Sequence, residues 1–204
     1  MLLDFHTHRK PPYREGIISA SPDSFLMPEQ FYSLGIHPWD ASSADSGALC
    51  RLRGRIACES GVVAVGEAGI DHLRGAGRDV QLKLFFRQAE IAAETSLPLI
   101  IHDVRAHSEI IAAKKALCAG NMWIIHGFRG GPRTADMLLH AGFMLGFGMR
   151  FDREAAAMVP AGAILAETDV SGADIHDVIR AISEARGEDM TEIIAADTSR
   201  VFRR

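Results

Sequence analysis

The sequence predicts a distorted (β/α)8 barrel of the TIM type, irregular at its first two connections. Three observations lead there. Eight short apolar runs recur along the 204 residues, with turn signals between them. Helical patterns separate the later runs, the alternation that builds a parallel sheet. The ionisable residues come late in the runs, and strand C-terminal ends form the active-site mouth of such barrels.

In chain order the runs are LLDF (2–5), GIISAS (16–21), FYSLGIHP (31–38), VVAVGEAGID (62–71), LPLIIHD (97–103), MWIIHGF (122–128), FMLGFG (143–148) and AILAETD (163–169). Most are near-continuous aliphatic stretches, as strands buried on both faces require. Between the first three runs there is too little chain for full helices, so the barrel should start irregularly. The clearest helix spans Asp79 to Ser96, where Leu82, Phe85, Phe86, Ala89, Ala92 and Ala93 form one apolar stripe. Gln81 and Gln88 share another face of it, placed to hydrogen-bond barrel loops. Further helices are expected over 46–60, 106–119, 132–141, 153–158, 174–185 and 190–202. No repeat, linker or low-complexity tract interrupts the pattern, and one domain over 1–204 is expected.

Composition narrows the function classes. With a net charge of −4 and 48% hydrophobic residues, nothing global marks a nucleic-acid binder of the strongly basic kind. No apolar run is long enough to span a membrane, and the strand carrying Asp4 leaves no signal-peptide core. Cys50, Cys58 and Cys118 are odd in number and widely spaced, which reads as buried reduced thiols in a cytoplasmic protein. Five methionines (Met122, Met137, Met144, Met149 and Met158) read as fillers of core gaps. Nothing marks an obligate protein partner.

The ends of the runs carry the chemistry. His6 and His8 close the first; being two apart on a strand, they point to one face. His37 ends the third. Glu67 and Asp71 lie in the fourth, where Gly66 and Gly69 permit close backbone approach. His102 and Asp103 end the fifth, His126 follows the sixth, and Glu167 and Asp169 end the eighth. Each has a plain alternative taken alone: a satisfied core histidine, an ion pair for Glu67, a helix cap for Asp169. Independent alternatives would not place all of them at the same ends of successive strands. So many buried ionisable groups need a counter-charge, which one or two divalent cations supply. Imidazole with carboxylate suits zinc and other first-row divalents such as manganese.

HTH (6–8), GIHP (35–38), GEAGID (66–71), the Gln81–Phe85–Gln88 pattern, LPLIIHDVR (97–105), HGFRG (126–130), ETD (167–169) and the terminal DTSRVF (197–202) resemble, in that order, the motifs of the TatD family. These are metal-dependent hydrolases and deoxyribonucleases of the amidohydrolase superfamily. The resemblance implies two divalent ions (Zn, Mg or Mn). It makes His6, His8 and Asp169 ligands of one ion and His102 and His126 ligands of the other, with Glu67 bridging them. There are departures. Gly127 and Arg129 replace the usual Cys and Ser, the proline after ETD is missing, the segment between HTH and GIHP is short, and Asp197 stands at the usual Asn.

On this basis the expected activity is hydrolysis of a phosphoester by a metal-activated water, with DNA as the leading substrate and a 3′ end as the starting point. Asp169 is the candidate to orient the water and accept its proton, with Glu67 as the second catalytic carboxylate. Arg105 and Arg129 lie nearest the histidines among many arginines on the loops after the strands, and guanidinium forks suit phosphate oxygens. His37 is expected at the rim, as a phosphate contact or a support for a ligand. Trp39 beside it reads as a packing residue more than a base platform. Two other readings stay open: a deacylase of a small metabolite, and a metal-binding protein with little turnover.

Overall fold

The computed structural model describes residues 1–203. Eight parallel strands close into one barrel in sequence order: β1 (Asp4–Thr7), β2 (Gly16–Ala20), β3 (Phe31–Leu34), β4 (Val62–Asp71), β5 (Leu99–Val104), β6 (Trp123–Ile125), β7 (Phe143–Phe147) and β8 (Ile164–Ala166). The helices are α1 (Ala48–Cys58), α2 (Arg78–Thr95), α3 (His107–Leu117), α4 (Pro132–His140), α5 (Arg153–Met158), α6 (Ile175–Arg186) and α7 (Thr191–Val201). As expected, β1–β2 and β2–β3 are joined without helices, and a short 3₁₀ turn (Pro38–Asp40) follows β3.

Two apolar layers hold the barrel. The larger fills the space between sheet and helices, with Trp123, Phe85, Leu99 and Phe147 fully buried. The smaller draws Phe5, Ile17, Ile100, Ile124, Met144 and Leu165 from strands all around the sheet, which only the barrel interior permits. Val201 and Phe202 pack into this inner cluster, with the Phe202 ring stacked 6.3 Å from Phe5. Gly146 is required there, because a Cβ would strike the Phe5 ring.

Helix ends follow local chemistry. Asp152 and Asp174 cap α5 and α6 by accepting from the backbone N–H of Ala155 and His176. Gly187 ends α6 in the left-handed region. The buried face of α2 includes both glutamines. Gln81 bonds Asp71 N and O, Arg74 O and Ala76 O, and Gln88 bonds Ile36 N and O. They clamp the chain after β4 and β3 to the barrel, as their spacing predicts.

Two expectations fail. All three cysteines are exposed. α1 buries Ala48, Leu52 and Ile56, a one-turn repeat that leaves positions 50 and 58 outside, and Cys118 is the left-handed C-cap of α3. Of the methionines, Met144 is buried, but Met137, Met149 and Met158 are exposed. Met137 lies off the Ala135–Leu138 face of α4, Met149 in the loop after β7, and Met158 in the last turn of α5.

Candidate metal centre

The site is built around Glu67, one carboxylate inside an apolar strand and 5% exposed. The chain can pass this point because Gly66 (φ 141°) and Gly69 lie against β5: a Cβ on Gly66 would stand 2.6 Å from Ile100 O, and one on Gly69 would overlap His102 O. Glu67 Oε2 faces His6 Nε2 at 3.5 Å and His8 Nε2 at 3.3 Å. Its Oε1 faces His126 Nε2 at 2.8 Å, His102 Nδ1 at 2.9 Å and His37 Nε2 at 3.2 Å. Five imidazoles from strands or strand ends on every side thus divide between the two oxygens of one side chain.

Asp169 completes the first group. It holds a left-handed backbone (φ 49°) that aspartate tolerates. Its N–H donates to His6 O at 3.0 Å, and its own C=O accepts from His8 N at 3.0 Å. The β1–β8 pairing therefore extends past both strands and sets Asp169 Oδ1 3.7 Å from His6 Nε2 and from His8 Nε2. Beneath it, Thr168 N and Oγ1 donate to Asp4 at 3.0 and 2.6 Å, and Thr7 and Thr168 hydroxyls meet at 2.7 Å. Burial raises the Asp4 carboxyl to about 6 against the pull of those bonds.

Two further carboxylates orient the histidines. Asp71 Oδ2 lies 3.2 Å from His102 Nε2 and accepts from Trp39 Nε1 at 2.7 Å. Its other oxygen accepts from Leu73 N and Arg74 N. Burial alone would raise Asp71; these bonds outweigh it and hold the carboxyl below its ordinary value. Glu167, fully buried, lies 3.5 Å from His126 Nδ1 and takes the N–H of Gly127, whose φ of 59° makes glycine the apt residue there. A carboxylate behind a metal-facing imidazole fixes its tautomer and orientation. Asp71 and Glu167 were legible as polar strand ends, but nothing in the sequence says which carboxylate faces the centre and which stands behind it.

His37 has a defined tautomer when neutral. Trp39 N donates to its Nδ1 at 3.1 Å, so the ring proton sits on Nε2 and points at Glu67 Oε1. Trp39 is tied to Asp71, and Arg74 lies 5.0 Å over its ring. The Trp39 ring is 44% exposed and lines the cavity beside the centre.

The electrostatics follow from crowding. Burial and nearby His126 press the His6 pKa down, but the facing carboxylates of Asp169 and Glu67, 3.7 and 3.5 Å away, win and lift it to about 9. His126 is likewise raised, burial notwithstanding, by Glu67 and Glu167. Burial favours neutral Glu67, yet the surrounding imidazoles hold it ionised, well below the carboxylate range. Burial is the largest single influence on Asp169 and would raise it, but His6 and His126 together outweigh it and hold the carboxyl below its ordinary value.

These residues fit a divalent cation. His6 is fully buried, and neither of its ring nitrogens has a hydrogen-bond partner among the described residues, a state that is costly unless something else satisfies it. His6, His8 and Glu67 converge closely enough to hold an ion, and so do His37, Glu67 and His102, and His6, His126 and Glu167. The centre opens into a cavity of about 440 Å³ bounded by Ser19 of β2, by Ser21 and Ser24 after it, by His37 and Trp39 after β3, and by Asp169 and Val170. All six expected ligands are brought together. Arg105 and Arg129 are not: both are exposed and neither lines the cavity.

An imidazole–carboxylate centre at the C-terminal mouth of a (β/α)8 barrel defines a class, the metal-dependent hydrolases. Within it, a family profile described as TatD related DNase matches residues 26–203, and the chain belongs to that family. It is 31% identical, over 83% of its length and 76% of the other's, to the 3′-5′ ssDNA/RNA exonuclease TatD of Pectobacterium carotovorum. It is 34% identical to YcfH of Escherichia coli, described as an uncharacterized metal-dependent hydrolase, over 68% of this chain and 54% of that one. The fold is shared with YjjV, a TatD homolog from Escherichia coli, at a TM-score of 0.83 and 21% identity over 98% of this chain and 97% of that one. A TatD family hydrolase from Entamoeba histolytica gives 0.80 at 15% identity over the same shares. Among the described residues no helix is long and apolar enough to cross a membrane.

Proposed function

We propose that the protein is a phosphodiesterase that shortens single-stranded nucleic acid from a 3′ end, using two divalent ions. The observation that carries the reading is the split of Glu67 between two histidine groups. His6, His8 and Asp169 would hold one ion with Oε2, and His102 and His126 the other with Oε1. Zinc, magnesium and manganese are the candidates for this donor set. Bound there, divalent cations acidify water and offset charge building on phosphoryl oxygens.

The chain's own residues do the rest. Asp169, ionised and 29% exposed toward the cavity, accepts the proton of the attacking water at its carboxylate. His37, whose Nε2–H faces Glu67 Oε1, stands at the cavity wall and supports that carboxylate. Asp71 and Glu167 hold the His102 and His126 rings in place. The cavity admits a terminal nucleotide, and its serines offer hydroxyls to sugar or base. The Pectobacterium relative, named for 3′-5′ single-strand DNA and RNA exonuclease activity, supports the choice of substrate.

A 5′-labelled single-stranded DNA, incubated with the protein and Mg²⁺, Mn²⁺ or Zn²⁺, should give a ladder shortened from the 3′ end that EDTA abolishes. Asp169→Asn should slow it by about 10²- to 10⁴-fold. Metal-independent cutting, or full activity in that variant, would overturn the reading.

A further inference from the structure

Among the described residues the arginines differ in what they touch: Arg9 donates to Ala173 O and Arg74 lies over the Trp39 ring. Arg51, Arg53, Arg78, Arg87, Arg180 and Arg186 each sit against a carboxylate. Arg105, Arg129, Arg133, Arg150 and Arg153 have no ion pair or hydrogen bond among the described residues, and all five are exposed. Their positions are not scattered. Arg105 follows β5 directly, Arg129 lies in the loop after β6, and Arg150 in the loop after β7. Arg133 and Arg153 stand in the first turns of α4 and α5, which begin at the same loops. β5, β6 and β7 are neighbours in the barrel, so the five guanidinium groups belong to one arc of the mouth that carries the metal centre.

Stability of the fold does not account for them. A cation in the first turn of a helix opposes the helix dipole, and Arg133 and Arg153 both stand there. The carboxylates within these segments are otherwise engaged: Asp103 is bonded to His107 and Asp152 caps α5. Glu154, in the first turn of α5, makes no ion pair with them. Across the mouth the character changes. On the loops after β2 and β3, Asp23 and Asp45 pair with Arg51, and serine hydroxyls line the cavity. A mouth that is cationic on one flank and hydroxyl-lined on the other suits a polyanion whose end is taken into the cavity and whose body lies to one side.

We propose that a single-stranded polynucleotide lays its phosphate backbone across the loops after β5, β6 and β7, on these five arginines, while its terminal nucleotide occupies the cavity on the β2–β3 side. The inference rests on the phosphodiesterase reading above and adds the path of the strand. Unpaired guanidinium groups contact phosphates without reading bases, so the arc grips the strand regardless of sequence. It engages only nucleotides beyond the one being released.

The test uses Arg133, Arg150 and Arg153, changed together to Gln and, separately, together to Lys. Binding of a fluorescent 20-mer of single-stranded DNA is read by anisotropy across a salt series, in the Asp169→Asn background with Mn²⁺ present. Each phosphate neutralised on a single strand contributes about 0.7 to the salt slope, so the Gln triple should lower the slope by about 2. It should also weaken binding at low salt by roughly tenfold or more, and the Lys triple should keep the slope. In the otherwise native background, hydrolysis of bis(p-nitrophenyl) phosphate by the Gln triple should stay near wild type, while KM for the 20-mer rises. An unchanged slope, or no binding of the 20-mer by the parent protein, would overturn the proposal. So would a parallel loss of small-diester hydrolysis, which would place these arginines at the reacting phosphate. A parent that hydrolyses no diester but binds the strand with the expected slopes would overturn the phosphodiesterase reading and leave the arc standing.

Discussion

Glu67 shows how much a single side chain decides. Its two oxygens lie 2.8–3.5 Å from five imidazole nitrogens, and His37, His102 and His126 each have a further group at the other ring nitrogen. His102 is the clearest case, with Glu67 on one ring nitrogen and Asp71 on the other. Asp71→Asn keeps the shape and the bonds from Leu73 N and Arg74 N but weakens the hold on the ring. Metal affinity should fall by about 10- to 100-fold with the fold intact, measured by competition with a fluorescent chelator. Unaltered affinity would remove Asp71 from that role. At this scale the sequence was informative about which residues converge and silent about their division of labour. Asp71, Glu67, Asp169 and Glu167 all read as carboxylates at strand ends. The separation of facing from supporting carboxylates depends on distances of a few tenths of an ångström. Arg105 and Arg129 illustrate the limit: proximity in sequence to His102 and His126 did not bring them to the cavity, and both are exposed outside it, Arg105 on a left-handed backbone (φ 59°).

At the scale of elements, α2 ties the site to the barrel through its glutamines. Gln88 is fully buried and satisfies both backbone groups of Ile36, the residue before His37. Gln88→Leu would leave that N–H and C=O without partners, at about 1–3 kcal/mol each. Thermal or urea unfolding should show a loss of that order, with a rise in the mobility of the Gly35–Asp40 turn. A variant as stable as the parent would contradict the clamp. Helix and strand positions were readable because periodicity is a local signal: the apolar stripe over 79–96 marks α2, and the short connections before β2 and β3 announce their own lack of helix. Exposure of cysteine and methionine was not readable. Which side of α1 or α4 faces the sheet depends on packing against neighbours, and a small or flexible apolar residue tolerates either side.

For the whole molecule, closure of the barrel is what makes a site from residues 163 positions apart. His6 in β1 and Asp169 after β8 meet only because the first and last strands pair, through Asp4 with Ala166 and Thr7 with Asp169. The apolar runs made that closure legible, since eight buried parallel strands have few other ways to hide their edges. The charge asymmetry of the mouth was legible only in part: the arginines are plain in the sequence, but which of them lack a partner is a property of the folded surface. The central claim is that two cation sites share Glu67, and metal stoichiometry tests it most directly. After dialysis against micromolar Mn²⁺, elemental analysis should find two equivalents per chain in the native protein and at most one in Glu67→Gln, with circular dichroism unchanged. One equivalent or none in the native protein, or two retained by the variant, would contradict it.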